Sequence, residues 1–180
     1  MALCFSFEVY GQNPTGLEIK VATDKIKVDG ELDEQTWAVA ARASQFVRQF
    51  PFDTGMAVNQ TEVMMSYDEK NLYIAAVCFE NPDEKQVVWN LRRDFALKTN
   101  DNFSVVIDPY LDGTNGFNFA VTPLGTQREA LIVSGDQSFT LWDNRWFSHV
   151  HKKHDRWIVE MAIPFSTLRF TSGLQNWRIN

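Results

Sequence analysis

The sequence has 180 residues, room for one domain with one sizeable core and cramped for two. Its formal net charge is -6, and its only cationic clusters are the short runs Arg92-Arg93 and His151-Lys152-Lys153. That balance argues against a phosphate-tracking surface for DNA or RNA.

Residues 2–7 are apolar and precede Glu8-Val9-Tyr10-Gly11-Gln12, a pattern resembling the tail of a secretory signal peptide cleaved before Gln12. Residues 1–11 are therefore expected to be a signal-peptide remnant of an exported parent protein. A disordered chain end predicts the same lack of structure. The run is too short to span a bilayer. Without it Cys78 stands alone, so no disulfide framework is expected, and in its apolar strand Cys78 should act as a small hydrophobe.

Residues 12–25 read as a leader and a first strand, with alternation at 17–22. Asp29-Gly30 marks a tight turn, and Asp33 is the expected N-cap of a short helix carrying a buried Trp37 that plugs one end of the sheets. A short strand is expected at 46–50 and a turn at 51–55. The strongest hairpin signal joins 61–67 to 72–80 through Asp68-Glu69-Lys70-Asn71. Three further strands follow at 102–107, 117–122 and 128–133, separated by Gly- and Asn-rich turns. Residues 134–140 read as loop, 148–151 and 156–162 as another hairpin, and 176–180 as the start of a strand. About ten short strands with hardly any helical periodicity predict an all-β fold, a two-sheet antiparallel β-sandwich with one short helix near Trp37. Fourteen Phe and six Trp suit such a core first, and a sugar or peptide platform second.

Few residues are arranged for catalysis. No Gly-x-Ser-x-Gly elbow is present, and Cys78 has no His near it in sequence. Glycosidase chemistry needs two carboxylates flanking a cleft, and Asp94, Asp101, Asp143 and Glu160 qualify only as carboxylates. Glu160 lies opposite Trp157, Val159 and Met161 in the strand alternation and is expected to pair with an Arg. His149, His151 and His154 lack further ligands for zinc. Asp108, Asp112 and Asn115 offer oxygens for calcium, although their spacing is not that of an EF-hand and suits turn formation. Binding without chemistry has better material. Trp89, Trp142 and Trp146 stand among Arg92, Arg93, Asp94, Asp143 and Arg145, mixing aromatic faces with hydrogen-bonding groups as sugar sites do.

Four ordered motifs carry a resemblance: Val28-Asp29-Gly30-Glu31-Leu32-Asp33 with Trp37; Tyr67-Asp68-Glu69-Lys70-Asn71-Leu72-Tyr73-Ile74; Asp101-Asn102-Phe103-Ser104-Val105-Val106-Ile107-Asp108; and Trp157-Ile158-Val159-Glu160-Met161-Ala162-Ile163-Pro164-Phe165 with Leu168. Together they resemble the family 9 carbohydrate-binding modules over residues 26–180, with the last strand expected to be incomplete. Arg92-Arg93-Asp94-Phe95, Gly125-Thr126-Gln127-Arg128 and Leu168-Arg169-Phe170 look like the amino-terminal domain of exported proteins that continue into a predicted outer-membrane β-barrel region. The resemblance implies a location in the periplasm, outer membrane or cell surface of a Gram-negative bacterium. It also implies structural calcium and a sugar gripped between two Trp faces beside a Glu and an Arg. Those positions are changed here: the first Trp falls on Lys98, the Glu on Ser104 and the Arg on Ala120, while the second Trp lies beyond Asn180. Two readings follow. One is a non-catalytic carbohydrate-binding module whose partner is a polysaccharide or oligosaccharide. The alternative is a structural or protein-interaction domain capping the membrane barrel of its parent chain, with no sugar affinity.

Overall fold

Alternating side chains separate two apolar surfaces along each long strand, and the chain uses both. The structure, a computed structural model, describes residues 5–9, 15–49, 55–170 and 176–180. In chain order the elements are β1 (Phe5–Val9), β2 (Thr15–Val21), α1 (Gln35–Val39), β3 (Arg42–Ala43), β4 (Thr61–Tyr67) and β5 (Asn71–Phe79). They continue with β6 (Phe103–Asp108), β7 (Gly116–Val121), β8 (Gln127–Val133), β9 (Gln137–Phe139), β10 (Phe147–Lys152), β11 (Arg156–Pro164) and β12 (Asn176–Ile179). One sheet runs β10-β11-β5-β4-β2, with β3 also on β4, and the other runs β1-β12-β6-β7-β8-β9. Strand β2 joins them: Leu17 and Ile19 pair with β1, whereas Lys20 and Val21 pair with β4. All pairs are antiparallel except β2–β4 and β1–β12. The fold is the expected two-sheet β-sandwich.

Between the sheets, Ile74, Ala76 and Cys78 of β5 and Trp157, Val159 and Met161 of β11 face Val105, Ile107, Phe117, Phe119 and Trp177. The opposite face of the first sheet presents Ala75, Val77, Ile158 and Ala162, and residues 22–40 cover it with Ile26, Trp37 and their neighbours. Trp37 is 1% exposed. Its burial contributes roughly 2 to 3 kcal/mol, the scale for a large apolar side chain. The helix therefore covers a sheet face; it does not plug an end.

The capping also differs from expectation. Glu34 occupies the N-cap position without a side-chain capping bond, so Asp33 does not cap the helix. Asp24 does so from eleven residues upstream of Gln35, accepting the Gln35 N–H through Oδ2 at 2.9 Å and the Thr36 N–H through Oδ1 at 3.0 Å. A carboxylate brought in by tertiary structure thus satisfies helix donors that local sequence leaves open.

The expected hairpins form at β4–β5 and β10–β11, the first closed by Asp68, whose Oδ1 accepts the Lys70 and Asn71 N–H groups at 2.7 Å. Residues 134–140 are not simply loop. They contain β9, an exposed edge strand too polar and short to show a pattern. The strand expected at 46–50 reduces to a single bridge between Val47 and Met56, and Phe50 lies outside the described residues. So does the turn expected at 51–55 apart from Gly55, and so do residues 12–14 of the expected leader and residues 1–4, 10 and 11 of the expected signal-peptide remnant. Within the stretch read as a signal-peptide remnant, Phe5–Val9 forms β1, paired with β2 and β12. Among the described residues no helix is long and apolar enough to cross a membrane.

Candidate functional site

Glu129 organises the aromatic and charged residues that the sequence singles out. It sits on β8 opposite Phe119, on the core face, and is 1% exposed. A carboxylate there must be neutralised and hydrogen-bonded. Arg93 supplies the charge through Nη2 and, at 3.2 Å, through Nε. The Trp146 indole N–H donates to Oε2 at 3.0 Å and the Asn144 N–H to Oε1 at 3.3 Å. Trp146 is 4% exposed and meets Phe119 edge-on at 5.3 Å, so its ring and its polar handle are both used internally. Asp143 stands 3.6 Å from the Arg93 guanidinium. Arg145 lies over the Phe147 ring at 5.5 Å. Asp94 has a positive φ of 61° and donates its N–H to the Gln127 carbonyl at 3.1 Å.

Arg93, Asp143 and Trp146 are thus brought together through Glu129, a residue that sequence reasoning missed. Its signal is faint: an acid at a core-facing position of a β-strand, followed by Ala130 and Leu131. Trp89 and Arg92 do not join the group; both are exposed, Trp89 at 75%.

Trp142 takes a different place. Its ring rests on Phe117 at 5.2 Å and meets Phe119 edge-on at 5.8 Å, leaving it half-buried at the end of the sandwich. It lines a cleft of about 520 Å³ with Tyr110, Asn115, Asn144, Ser166 and Arg169. This combines an aromatic platform with hydroxyl, amide and guanidinium groups, in a volume within the usual range for small-ligand sites. A larger cleft of about 640 Å³ opens elsewhere between the sheets. Its lining mixes core residues such as Val63, Met65 and Val105 with polar ones such as Glu80, Gln86, Asp101 and Ser104, and its indole, Trp157, is packed in the core at 4% exposed and offers no open face. The Trp142 cleft is chemically the better candidate.

Ser104 and Ala120, which the resemblance places at a sugar site, are cross-strand partners on β6 and β7. The Ser104 hydroxyl accepts from the Asn118 side-chain amide at 2.8 Å, and Ala120 is fully buried. Of the candidate calcium ligands, Asp108 and Asp112 act as turn acceptors and Asn115 as a donor. Asp108 takes the Tyr110 and Gly113 N–H groups at 2.9 Å, with the Arg178 guanidinium 3.5 Å away. Asp112 accepts from the Asn115 side chain and from the Thr114 and Asn115 N–H groups, which hold its carboxyl at about 2. Among the described residues no three His, Cys, Asp or Glu side chains form a metal-binding group. His151 pairs with Glu31 through Nδ1 at 2.8 Å.

Two other groups behave differently from candidate catalysts. Burial pushes the Cys78 thiol up to about 12, so it is a protonated core side chain. Glu160 is fully buried, and among the described residues no Arg pairs with it. Its Oε2 accepts the Asp29 N–H at 3.0 Å and the Gly30 N–H at 2.7 Å, and its Oε1 accepts the Trp37 indole N–H at 2.9 Å. The neighbouring strand presents His149 opposite Glu160 on one side and Ala75 on the other, so cross-strand pairing offers no guanidinium. Gly30 permits the close approach: its φ is +81°, and a Cβ there would stand 2.7 Å from the Cβ of His151.

By sequence, neither a protein-family model nor a curated protein matches the chain. Solved structures do match by shape. A family 9 carbohydrate-binding module from Caldicellulosiruptor kristjanssonii in complex with cellotriose aligns over 81% of this chain at 15% identity with a TM-score of 0.57. A family 9 module from the same organism in complex with glucose aligns over 82% at 16% identity with a TM-score of 0.55. The chain spans 66% and 69% of those two structures. A protein from Bacteroides uniformis, described only as a suspected carbohydrate-binding protein, aligns over 83% of this chain and 72% of its own at 11% identity, with a TM-score of 0.60. The chain has the fold of the family 9 carbohydrate-binding modules.

Proposed function

We propose that the chain is a non-catalytic carbohydrate-binding domain of an exported bacterial protein, and that its sugar site is the cleft around Trp142. The observation carrying this reading is the cleft itself: a half-buried indole backed by Phe117 and Phe119, with Asn144, Ser166 and Arg169 at its rim. A pyranose has an apolar C–H face and a polar rim, so it needs this pairing of a rigid aromatic plane with directional donors and acceptors. The fold is shared with modules whose structures contain cellotriose and glucose, which supports the same class of ligand. An extracytoplasmic location, a link to polysaccharide handling and attachment to an outer-membrane β-barrel region belong to this proposal.

Calorimetry and a glycan array test it, with soluble oligosaccharides titrated in the presence and absence of calcium. Binding that is lost in Trp142→Ala is expected. No binding to any saccharide would sink the reading.

A second reading has an observation of its own. Trp146 and Glu129 are committed to each other inside the core, so part of the aromatic cluster is structural. The domain would then act as an interaction cap on the membrane barrel of its parent. Retained association with that barrel region, alongside silence on the array, is the result that would favour it.

A further inference from the structure

The Trp142 cleft carries one charge, and it is positive. Arg169 is the only charged side chain among the described residues that line it. Arg169 is exposed, and among the described residues no hydrogen bond or ion pair engages it. This runs against the composition of the chain, which has 23 acidic residues to 17 basic ones. Asp108, Asp112, Glu129 and Asp143 stand within two residues of its lining in sequence, and none of them lines it; Asp108 and Glu129 are buried and paired with Arg178 and Arg93. Asp112 is occupied by Asn115 and the Thr114 N–H, and Asp143 lies 3.6 Å from Arg93.

Guanidinium groups recognise carboxylates through parallel N–H donors in one plane, and an Arg without a protein partner keeps all of them available. An acid at the rim would repel an anionic sugar. Among the described residues none lines the cleft, and the exposed Asp143 beside it stands 3.6 Å from the Arg93 guanidinium, so the cleft offers an anionic ring an aromatic platform and a cation together. We propose that the cleft selects saccharides built from uronic-acid units, with Trp142 under the ring and Arg169 on its carboxylate. This rests on the carbohydrate-binding reading and specifies its ligand.

The test compares trigalacturonic acid with galactotriose, its uncharged counterpart, by calorimetry on the whole chain and on the variants Arg169→Gln and Trp142→Ala. The acidic trisaccharide should bind about tenfold more tightly, and raising the salt should narrow the difference. Arg169→Gln should bring the two affinities together. That variant carries the decision, because its side chain is exposed and its loss should leave the thermal midpoint unchanged, whereas Trp142 also packs on the core. The proposal is overturned if galactotriose binds as tightly as the acid, or if Arg169→Gln keeps the preference. If neither trisaccharide nor any glycan on the array binds, the carbohydrate reading falls with it. If neutral sugars bind and both variants are silent, the carbohydrate reading stands and this site assignment fails.

Discussion

At the scale of single residues, two buried glutamates do opposite kinds of work. Glu129 is paired with a cation; Glu160 is held by three N–H donors and no cation. Glu160 therefore keeps the Asp29-Gly30 turn and Trp37 against the outer face of the first sheet by hydrogen bonds alone. Changing it to Gln places an amide NH₂ against groups that are all donors. The side chain can satisfy one oxygen's partners but not both. Glu160→Gln is expected to lower stability by about 2 to 3 kcal/mol, the cost of leaving buried donors unmet, measured by urea denaturation at pH 7. An unchanged midpoint would mean that the turn is held by packing and not by the carboxylate. The acid was visible in the sequence, but its partner was not. Strand alternation shows only that Glu160 leaves the inter-sheet core, and its donors come from residues 29–37, more than 120 positions away.

At the scale of elements, residues 87–101 form a strap fixed at its ends and at its middle. Val87 and Asp101 close it through the Val87 N–H on Asp101 Oδ2 at 2.6 Å and the Asp101 N–H on the Val87 carbonyl at 2.7 Å. The Trp89 N–H reaches Asn100 Oδ1 at 2.8 Å. The middle is tied to β8 by Arg93 on Glu129 and the Asp94 N–H on Gln127. A segment with no regular structure beyond the 3₁₀ turn Leu97–Thr99 is held in place when such bonds replace a ladder. Removing the Glu129 side chain leaves the Trp146 N–H unpaired and unties Arg93. Glu129→Ala is expected to cost about 2 to 4 kcal/mol, as for loss of a buried charged partner. Hydrogen exchange should quicken at 87–101 while β4 and β5 keep their protection. Uniform quickening across the chain would show that Glu129 supports the core as a whole and not this strap.

At the scale of the whole molecule, stability should depend on pH from both sides. Burial raises the Glu160 carboxyl from an ordinary value of 4.5 to about 7, with the N–H bonds from Gly30, Asp29 and Trp37 opposing. The native state then holds a proton that the unfolded chain releases between those values. Its contribution is complete below 4.5 and is lost as pH rises through about 7. Asp112 and Asp24 run the other way. Hydrogen bonds, chiefly from the Asn115 side chain and the Thr36 hydroxyl respectively, hold them below 3.8, so their contribution is present above 3.8 and lost in acid. The thermal midpoint should fall between about pH 5 and pH 8 in the wild type, and Glu160→Gln should remove that slope. A flat profile in the wild type would show that Glu160 titrates near its ordinary value.

The sequence by itself determined the hairpins β4–β5 and β10–β11 and the class of fold. Polar turns at Asp68 and at 112–116, and the alternation of Trp157, Val159 and Met161, are local signals that state which residues face inward. Tertiary structure decided which residues meet. The cleft joins Tyr110 and Asn115 after β6, Trp142 and Asn144 before β10, and Ser166 and Arg169 after β11, three segments that strand period cannot relate. It also decided that Trp146 faces the core while Trp142, four residues earlier, remains at the surface of the cleft. Local pattern reports a side chain's face, whereas its partner depends on the order and register of strands far apart in the chain, and that is settled only when the sheets pack.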